Sequence, residues 1–320
     1  MDRRLQTVAA DQGGVFTRAQ ACRYGYDDER IQRMVRSGRW HRIRRGAYTD
    51  RQAYEGLGAL DRHRILMRAV HLSLGDRVAF SHTSAALAHG FDLWAVDLTR
   101  VHVTRLDGGA GRVERDLQHH VGELADGDVT RVDGLPTTAP TRTVLETSMI
   151  VPVEQGLVVA DSALRMGAVS RERLRELLES SREWPGARDA GAVVSLADGR
   201  AESAGETRAR LAMSDAGLPA PELQVDICDR FGTLVGRVDF LFPEQNTIVE
   251  FDGKVKYDGT YGEPSDVVYE EKLREDRLRE MGYEFVRITW ADLGNPARLA
   301  ARIRHAFARA EARRTAAFTR

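Results

Sequence analysis

Residues Val238–Gly259 read VDFLFPEQNTIVEFDGKVKYDG. Two runs of Val, Phe, Leu and Ile flank a polar centre, the pattern of a hairpin. Asp239, Glu250, Asp252 and Lys254 stand inside or beside those runs. A carboxylate in a buried strand costs stability unless it is paired or binds something. If residues 243–246 form a four-residue loop, Phe242 faces Thr247, and Asp239 stands opposite Glu250. Directly opposed residues have Cβ atoms about 4.5–5.5 Å apart, and like charges there repel. Strand alternation puts Asp252 and Lys254 on the face of Glu250. Converging carboxylates beside a lysine suit a hard cation with oxygen ligands, Mg²⁺ or Mn²⁺. The competing reading is a salt-bridged hairpin without chemistry.

Lysine use points the same way. Of 47 basic residues only Lys254, Lys256 and Lys272 are lysines. A compact ammonium can orient water in ways a planar guanidinium cannot. Outward from the hairpin, the pattern reads helix (SAGETRARLAMSDAGL), strand (PELQVDICD), the two hairpin strands, helix (SDVVYEEKLREDRLREMGY) and strand (EFVRITWADL). Such an order predicts a sheet flanked by helices.

With Glu206 in SAGETRAR, Asp239 in GRVDFLFP and the run IVEFDGK, residues 200–305 resemble the PD-(D/E)XK nuclease superfamily, in particular the very-short-patch-repair endonucleases. The resemblance implies a restriction-endonuclease-like fold and Mg²⁺-dependent hydrolysis of DNA phosphodiester bonds. Catalytic roles would fall to Glu206, Asp239, Glu250, Asp252 and Lys254, with Asp239 and Glu250 as the metal pair. The superfamily's acid-x-Lys spacing fits Asp252-Gly253-Lys254 literally, whereas the hairpin register favours Glu250 as the acid.

The formal net charge of −1 hides an uneven distribution. Residues 1–50 hold eleven arginines against six acids. Leu5, Val8 and Ala9 mark a first helix, and Thr17 caps a second that ends at Gly25. A third opens at Asp27 or Asp28, buries Ile31, Met34 and Val35, and shows Arg30, Arg33 and Arg36 on its other face. The stretch RWHRIRRGAYTD then reads as a β-wing carrying Arg39, Arg42, Arg44 and Arg45. Helix, helix, basic helix and basic wing describe a winged helix-turn-helix, whose third helix enters the major groove. The run GGVFTRAQACRYGYDDERIQRMVRSGRWHRIRRGAY resembles the N-terminal domain of AbiEi antitoxins. That resemblance implies operator DNA as ligand and a cognate toxin as a partner to be sought.

Between Tyr54 and Arg188 helices and short strands alternate without a chemical signature. His82 and His89 read as packing or capping residues, and His119-His120 as an exposed pair. Pro and Gly near 184–200 mark a boundary. The expected organisation is therefore α/β multidomain: winged helix-turn-helix at 1–52, an antitoxin-like mixed α/β domain at 53–190, and a nuclease-like domain at 196–310. Two distant cysteines, the lack of a secretory pattern and the lack of a long apolar run point to a cytoplasmic protein without a membrane partner. The expected function is a DNA-binding protein with a metal-dependent nuclease-like domain; the alternative is a non-enzymatic transcriptional regulator on an inactive nuclease fold.

Overall fold

The structure, a computed structural model, describes residues 1–253 and 264–318. Lys254 and Lys256 lie outside them. The chain divides into two compact units, Met1–Ala197 and Asp198–Arg320. Residues 1–52 and 53–190, read from sequence as two domains, lie together in the first unit.

The first unit opens with α1 (Arg3–Asp11), β1 (Val15–Thr17), α2 (Arg18–Arg23), α3 (Asp28–Arg36), β2 (Trp40–Arg44) and β3 (Ala47–Asp50). Asp2 caps α1 through the amides of Arg4 and Leu5, and Thr17 and Gln20 form a reciprocal capping box on α2. Asp27, not Asp28, caps α3, accepting from the Arg30 amide at 2.7 Å. The short β1, absent from the sequence reading, pairs with β3 and makes the wing three-stranded, in the order β1-β3-β2. Trp40 is 1% exposed and centres the core, with Phe16 edge-on at 4.7 Å and Tyr26 at 4.9 Å. Such aromatic pairs add roughly 0.5–1.5 kcal/mol beyond simple burial.

The unit continues through α4 (Arg51–Glu55), α5 (Ala59–Leu74), a 3₁₀ turn, β4 (Val78–Phe80), α6 (His82–Ala88), β5 (Val101–Arg105), β6 (Arg112–Val113), β7 (Leu117–His120), β8 (Val129–Val132) and β9 (Leu135–Thr138). Helices α7 (Pro140–Ile150), α8 (Val153–Arg165), α9 (Arg171–Ser180) and α10 (Ala187–Leu196) complete it. The strands form one mixed sheet, β6-β7-β5-β4-β9-β8. Val15, Ala47 and Ala69 share an apolar cluster, so the winged helix and α5 are packed together. His119 is 2% exposed and His120 half-buried, contrary to the expected exposed pair. The reason is that β7 is an inner strand, covered by β5 on one side and β6 on the other.

The second unit runs α11 (Ala204–Asp215), β10 (Glu222–Cys228), β11 (Leu234–Phe242), β12 (Thr247–Asp252), α12 (Pro264–Glu280), β13 (Glu284–Thr289), α13 (Trp290–Leu293) and α14 (Pro296–Phe318). Its sheet has the order β10-β11-β12-β13, antiparallel except for the parallel β12–β13 pair joined through α12. Phe242 faces Thr247, Leu241 faces Ile248 and Phe240 faces Val249, the register of a four-residue loop. One face packs Phe240, Phe242 and Val249 against α11, α13 and α14; the other packs Leu241 and Ile248 against Leu278 of α12. The mixed α/β class expected from the sequence is the class observed.

Gly205 in the first turn of α11 lies against the Phe251 ring; an added Cβ would overlap it. Gly205→Ala should therefore destabilise the second unit by about 1–3 kcal/mol through overpacking. Gly191→Ala on α10, where the new methyl meets Leu178 at an ordinary 3.7 Å, should be neutral or stabilising. Chemical denaturation of the two full-length variants checks the contrast.

Candidate nucleic-acid interface and carboxylate site

The seven arginines predicted for DNA fall into three situations. Arg33 and Arg36 on α3, and Arg39, Arg42 and Arg45 along the wing, are exposed. None of these five has an acidic partner among the described residues. Arg45 and Gly46 (φ 79) form the wing tip, because Arg44 and Ala47 close the β2–β3 pair beneath them. Arg30 is exposed but stacked on the Tyr26 ring at 4.3 Å, and it donates to the Gly25 carbonyl at 3.1 Å. Arg44 differs: its side chain is only 13% exposed and lies 3.5 Å from Glu114 and 3.3 Å from Asp116. Those acids neutralise it and fix the wing to the β6–β7 connection, so it is not available to phosphate in the way the sequence suggested.

In the second unit the acids gather around a break in strand alternation. Val238 belongs to the cluster on the α12 face, yet Phe240 belongs to the opposite one. The same change of face separates Leu223 from Val225 across the ladder. Between them lie Asp239 and Gln224, and Gln224 has φ 54, a left-handed conformation rare for a non-glycine residue. Such local departures in strands re-aim side chains and recur near functional sites.

Asp239 uses one oxygen to accept from the Phe251 amide at 2.8 Å and the other to accept from Gln224 Nε2 at 3.3 Å. Gln224 Nε2 also donates to Glu206 Oε2 at 2.8 Å, so one amide links two carboxylates. Glu206 further accepts from the Glu202 amide and the Ser203 hydroxyl. Burial raises the pKa of both Asp239 and Glu206, and the charge of Asp239 adds to the shift at Glu206. Glu250 turns toward Arg274 of α12, which donates to it at 2.7 Å, with Arg287 at 3.9 Å. Arg274 reaches it beside Gly236, where an added Cβ would lie 2.8 Å from the arginine Cδ. Burial outweighs this attraction and pushes Glu250 up to about 7.

Asp239 is thus the hub: its charge acts on Glu206 and on Glu250. Asp252 is half-buried at the end of β12, opposite Thr289 in the parallel ladder. Lys254, the expected water-orienting group, falls outside the described residues. Sequence reasoning missed Gln224 and Arg274. Gln224 is one of three polar residues alternating along β10, with Glu222 and Asp226, and Arg274 is one arginine in a charged helix, so neither left a distinctive signal.

Residues 3–49 match the family described as "Transcriptional regulator, AbiEi antitoxin". Two proteins of Mycobacterium tuberculosis, the uncharacterized proteins MT2308 (strain CDC 1551 / Oshkosh) and Rv2248 (strain ATCC 25618 / H37Rv), are each 34% identical to the chain over 230 residues, covering 72% of it and 80% of their own length. The crystal structure of the RV2827C protein from Mycobacterium tuberculosis superposes with a TM-score of 0.43 and 16% identity, over 70% of this chain and 83% of that one. Among the described residues no helix is long and apolar enough to cross a membrane.

The raised Glu250 pKa makes a signed prediction. Its folded value of about 7 exceeds the ordinary 4.5, so the folded state holds the proton longer and stability falls as pH rises between those values. The loss is complete above about pH 7 and absent below about 4.5, and amounts to something on the order of 2–3 kcal/mol. Glu250→Gln should flatten that segment and be more stable than wild type at pH 8; denaturant titrations at pH 5, 6, 7 and 8 measure both. With its basic winged helix matched over residues 3–49 and its length shared with the two mycobacterial proteins, the chain belongs to their family and carries an N-terminal domain of the AbiEi transcriptional-regulator type.

Proposed function

We propose that this protein is a DNA-binding transcriptional regulator in which α3 enters the major groove and the wing follows the phosphate backbone. The observation that carries this reading is the set of five exposed arginines without acidic partners, Arg33, Arg36, Arg39, Arg42 and Arg45, on a winged helix of antitoxin type. In that reading the ligand is an operator and the natural partner is a cognate toxin. Arg33 and Arg36 lie one turn apart on α3, where adjacent side chains can reach one stretch of groove. Arg39, Arg42 and Arg45 suit phosphate contacts, which position the protein and release counterions.

A second reading, metal-dependent hydrolysis of phosphodiester bonds by the second unit, rests on the Glu206–Gln224–Asp239 linkage at the strand break. Oxygen donors and excess buried negative charge fit Mg²⁺ or Mn²⁺, and Asp239 with Glu206 would hold it. Glu250 fits less well, because Arg274 already compensates it. When bound, such an ion polarises a scissile phosphate and acidifies a water. The chain's own part is to aim Asp239 through the Phe251 amide and Gln224.

The regulator reading is tested by fluorescence anisotropy with DNA from the protein's own promoter region. The double variant Arg33→Ala, Arg36→Ala should bind on the order of tenfold or more weakly. The variant Arg42→Ala, Arg45→Ala should lower the slope of log affinity against log salt by roughly two. Unchanged affinity and slope in both would overturn it. For the second reading, plasmid incubated with Mg²⁺ or Mn²⁺ should be nicked by wild type and not by Asp239→Asn; no cleavage by either leaves the regulator alone.

A further inference from the structure

We propose that His82, His102 and His120 form a binding site for a divalent transition-metal ion of the zinc class, with an open coordination position facing a cavity. The three come from separate elements: His82 opens α6 at the end of β4, His102 lies on β5, and His120 lies on the adjacent parallel strand β7. One potential ligand atom from each lies within 4.8 Å of the other two; among the described residues this is the one trio of His, Cys, Asp or Glu groups that converges so closely. His102 Nδ1 and His120 Nε2 are 2.9 Å apart. Two imidazole nitrogens held at 2.0–2.1 Å from one ion stand roughly 2.9–3.4 Å apart, so this pair already has the required spacing. His82 Nδ1 is taken by the Ser81 hydroxyl at 2.9 Å, which leaves Nε2 for an ion. Imidazole donors select zinc, nickel, copper or cobalt over the Mg²⁺ favoured by carboxylates.

A second, independent observation comes from Glu146. It is 5% exposed, and its Oε1 accepts from Arg142 Nε at 2.7 Å. Its Oε2 is buried without a hydrogen-bond partner among the described residues and lies 3.9 Å from His82 Nδ1. An unsatisfied buried carboxylate oxygen is costly. Beside a histidine ligand it matches the carboxylate that commonly orients such a ring. His82 also holds φ 52, a conformation that persists only where the surroundings impose it. His82 and His120 border a cavity of about 460 Å³ that Thr104, Arg142, Glu146 and Trp184 also line. Three protein ligands with a vacant fourth position are the pattern of a zinc site that takes water or substrate.

The test uses tag-free, full-length protein stripped with chelator, in a Cys22→Ser, Cys228→Ser background that removes the two exposed thiols. Cobalt(II) should bind with one equivalent per chain and give visible d–d absorption that zinc displaces. His102→Ala and His120→Ala should each weaken binding at least a hundredfold and abolish the rise in melting temperature that zinc gives the parent. Asp239→Asn, at the separate carboxylate site, should keep both responses. Circular dichroism checks that the variants fold. Should a histidine variant not fold, the parent titration decides alone: no cobalt absorption and no zinc-induced stabilisation overturns the proposal. An unchanged response in both folded histidine variants overturns it equally.

Discussion

The register of the β11–β12 hairpin is the constraint on which the second unit depends. Because the loop has four residues and Phe242 faces Thr247, the side chains of Phe240–Phe242 and Thr247–Val249 are each committed to one face. A slip by one residue would exchange the two apolar layers, bringing Phe240 and Phe242 out and the polar positions in. Both faces are covered by helices, so the penalty for a slip falls on both sides at once. The cost of burying acids appears just beyond the paired positions, at Asp239 and Glu250, whose charges act on each other.

The protein meets that cost in two ways. Asp239 is accommodated by bending the strand pair at Gln224, which turns the carboxylate to a backbone amide and a neutral side-chain amide. Glu250 is accommodated by charge, through Arg274. Neither device cancels the effect of burial, and Glu250 accordingly holds its proton to about 7. A purely structural hairpin would have no need of acids here, because replacing buried ionic groups by apolar ones is often neutral or stabilising. That imbalance is what keeps a chemical role for the carboxylates in view.

Arginines are likewise divided by environment rather than by sequence. Arg42, Arg44 and Arg45 are near neighbours in one basic run, yet Arg44 is sequestered by Glu114 and Asp116 while Arg42 and Arg45 are exposed. Strand alternation separates Arg42 from Ile43 but would put Arg44 on the face of Arg42; an irregularity between Arg42 and Arg44 intervenes. Its partners lie some seventy residues later, between β6 and β7, and no local pattern announces them.

What the sequence determined by itself were the features set by short-range physics. The cap at Thr17, a cap at Asp27 or Asp28, the apolar stripe of α3, the glycine ends of helices and the four-residue hairpin loop all depend on neighbours within a few positions. They sufficed for the mixed α/β class, the winged helix and the register of Phe240–Phe242 against Thr247–Val249. The tertiary structure decided what depends on distant elements: the third strand of the wing, the capture of Arg44, the bend at Gln224, the pairing of Glu250 with Arg274, and the meeting of His82, His102 and His120. The histidines stand 18 to 20 residues apart on three elements, and only the order of strands β4, β5 and β7 brings them together. Spacing in sequence reports periodicity along one helix or strand; it carries no information about which strand a fold places alongside.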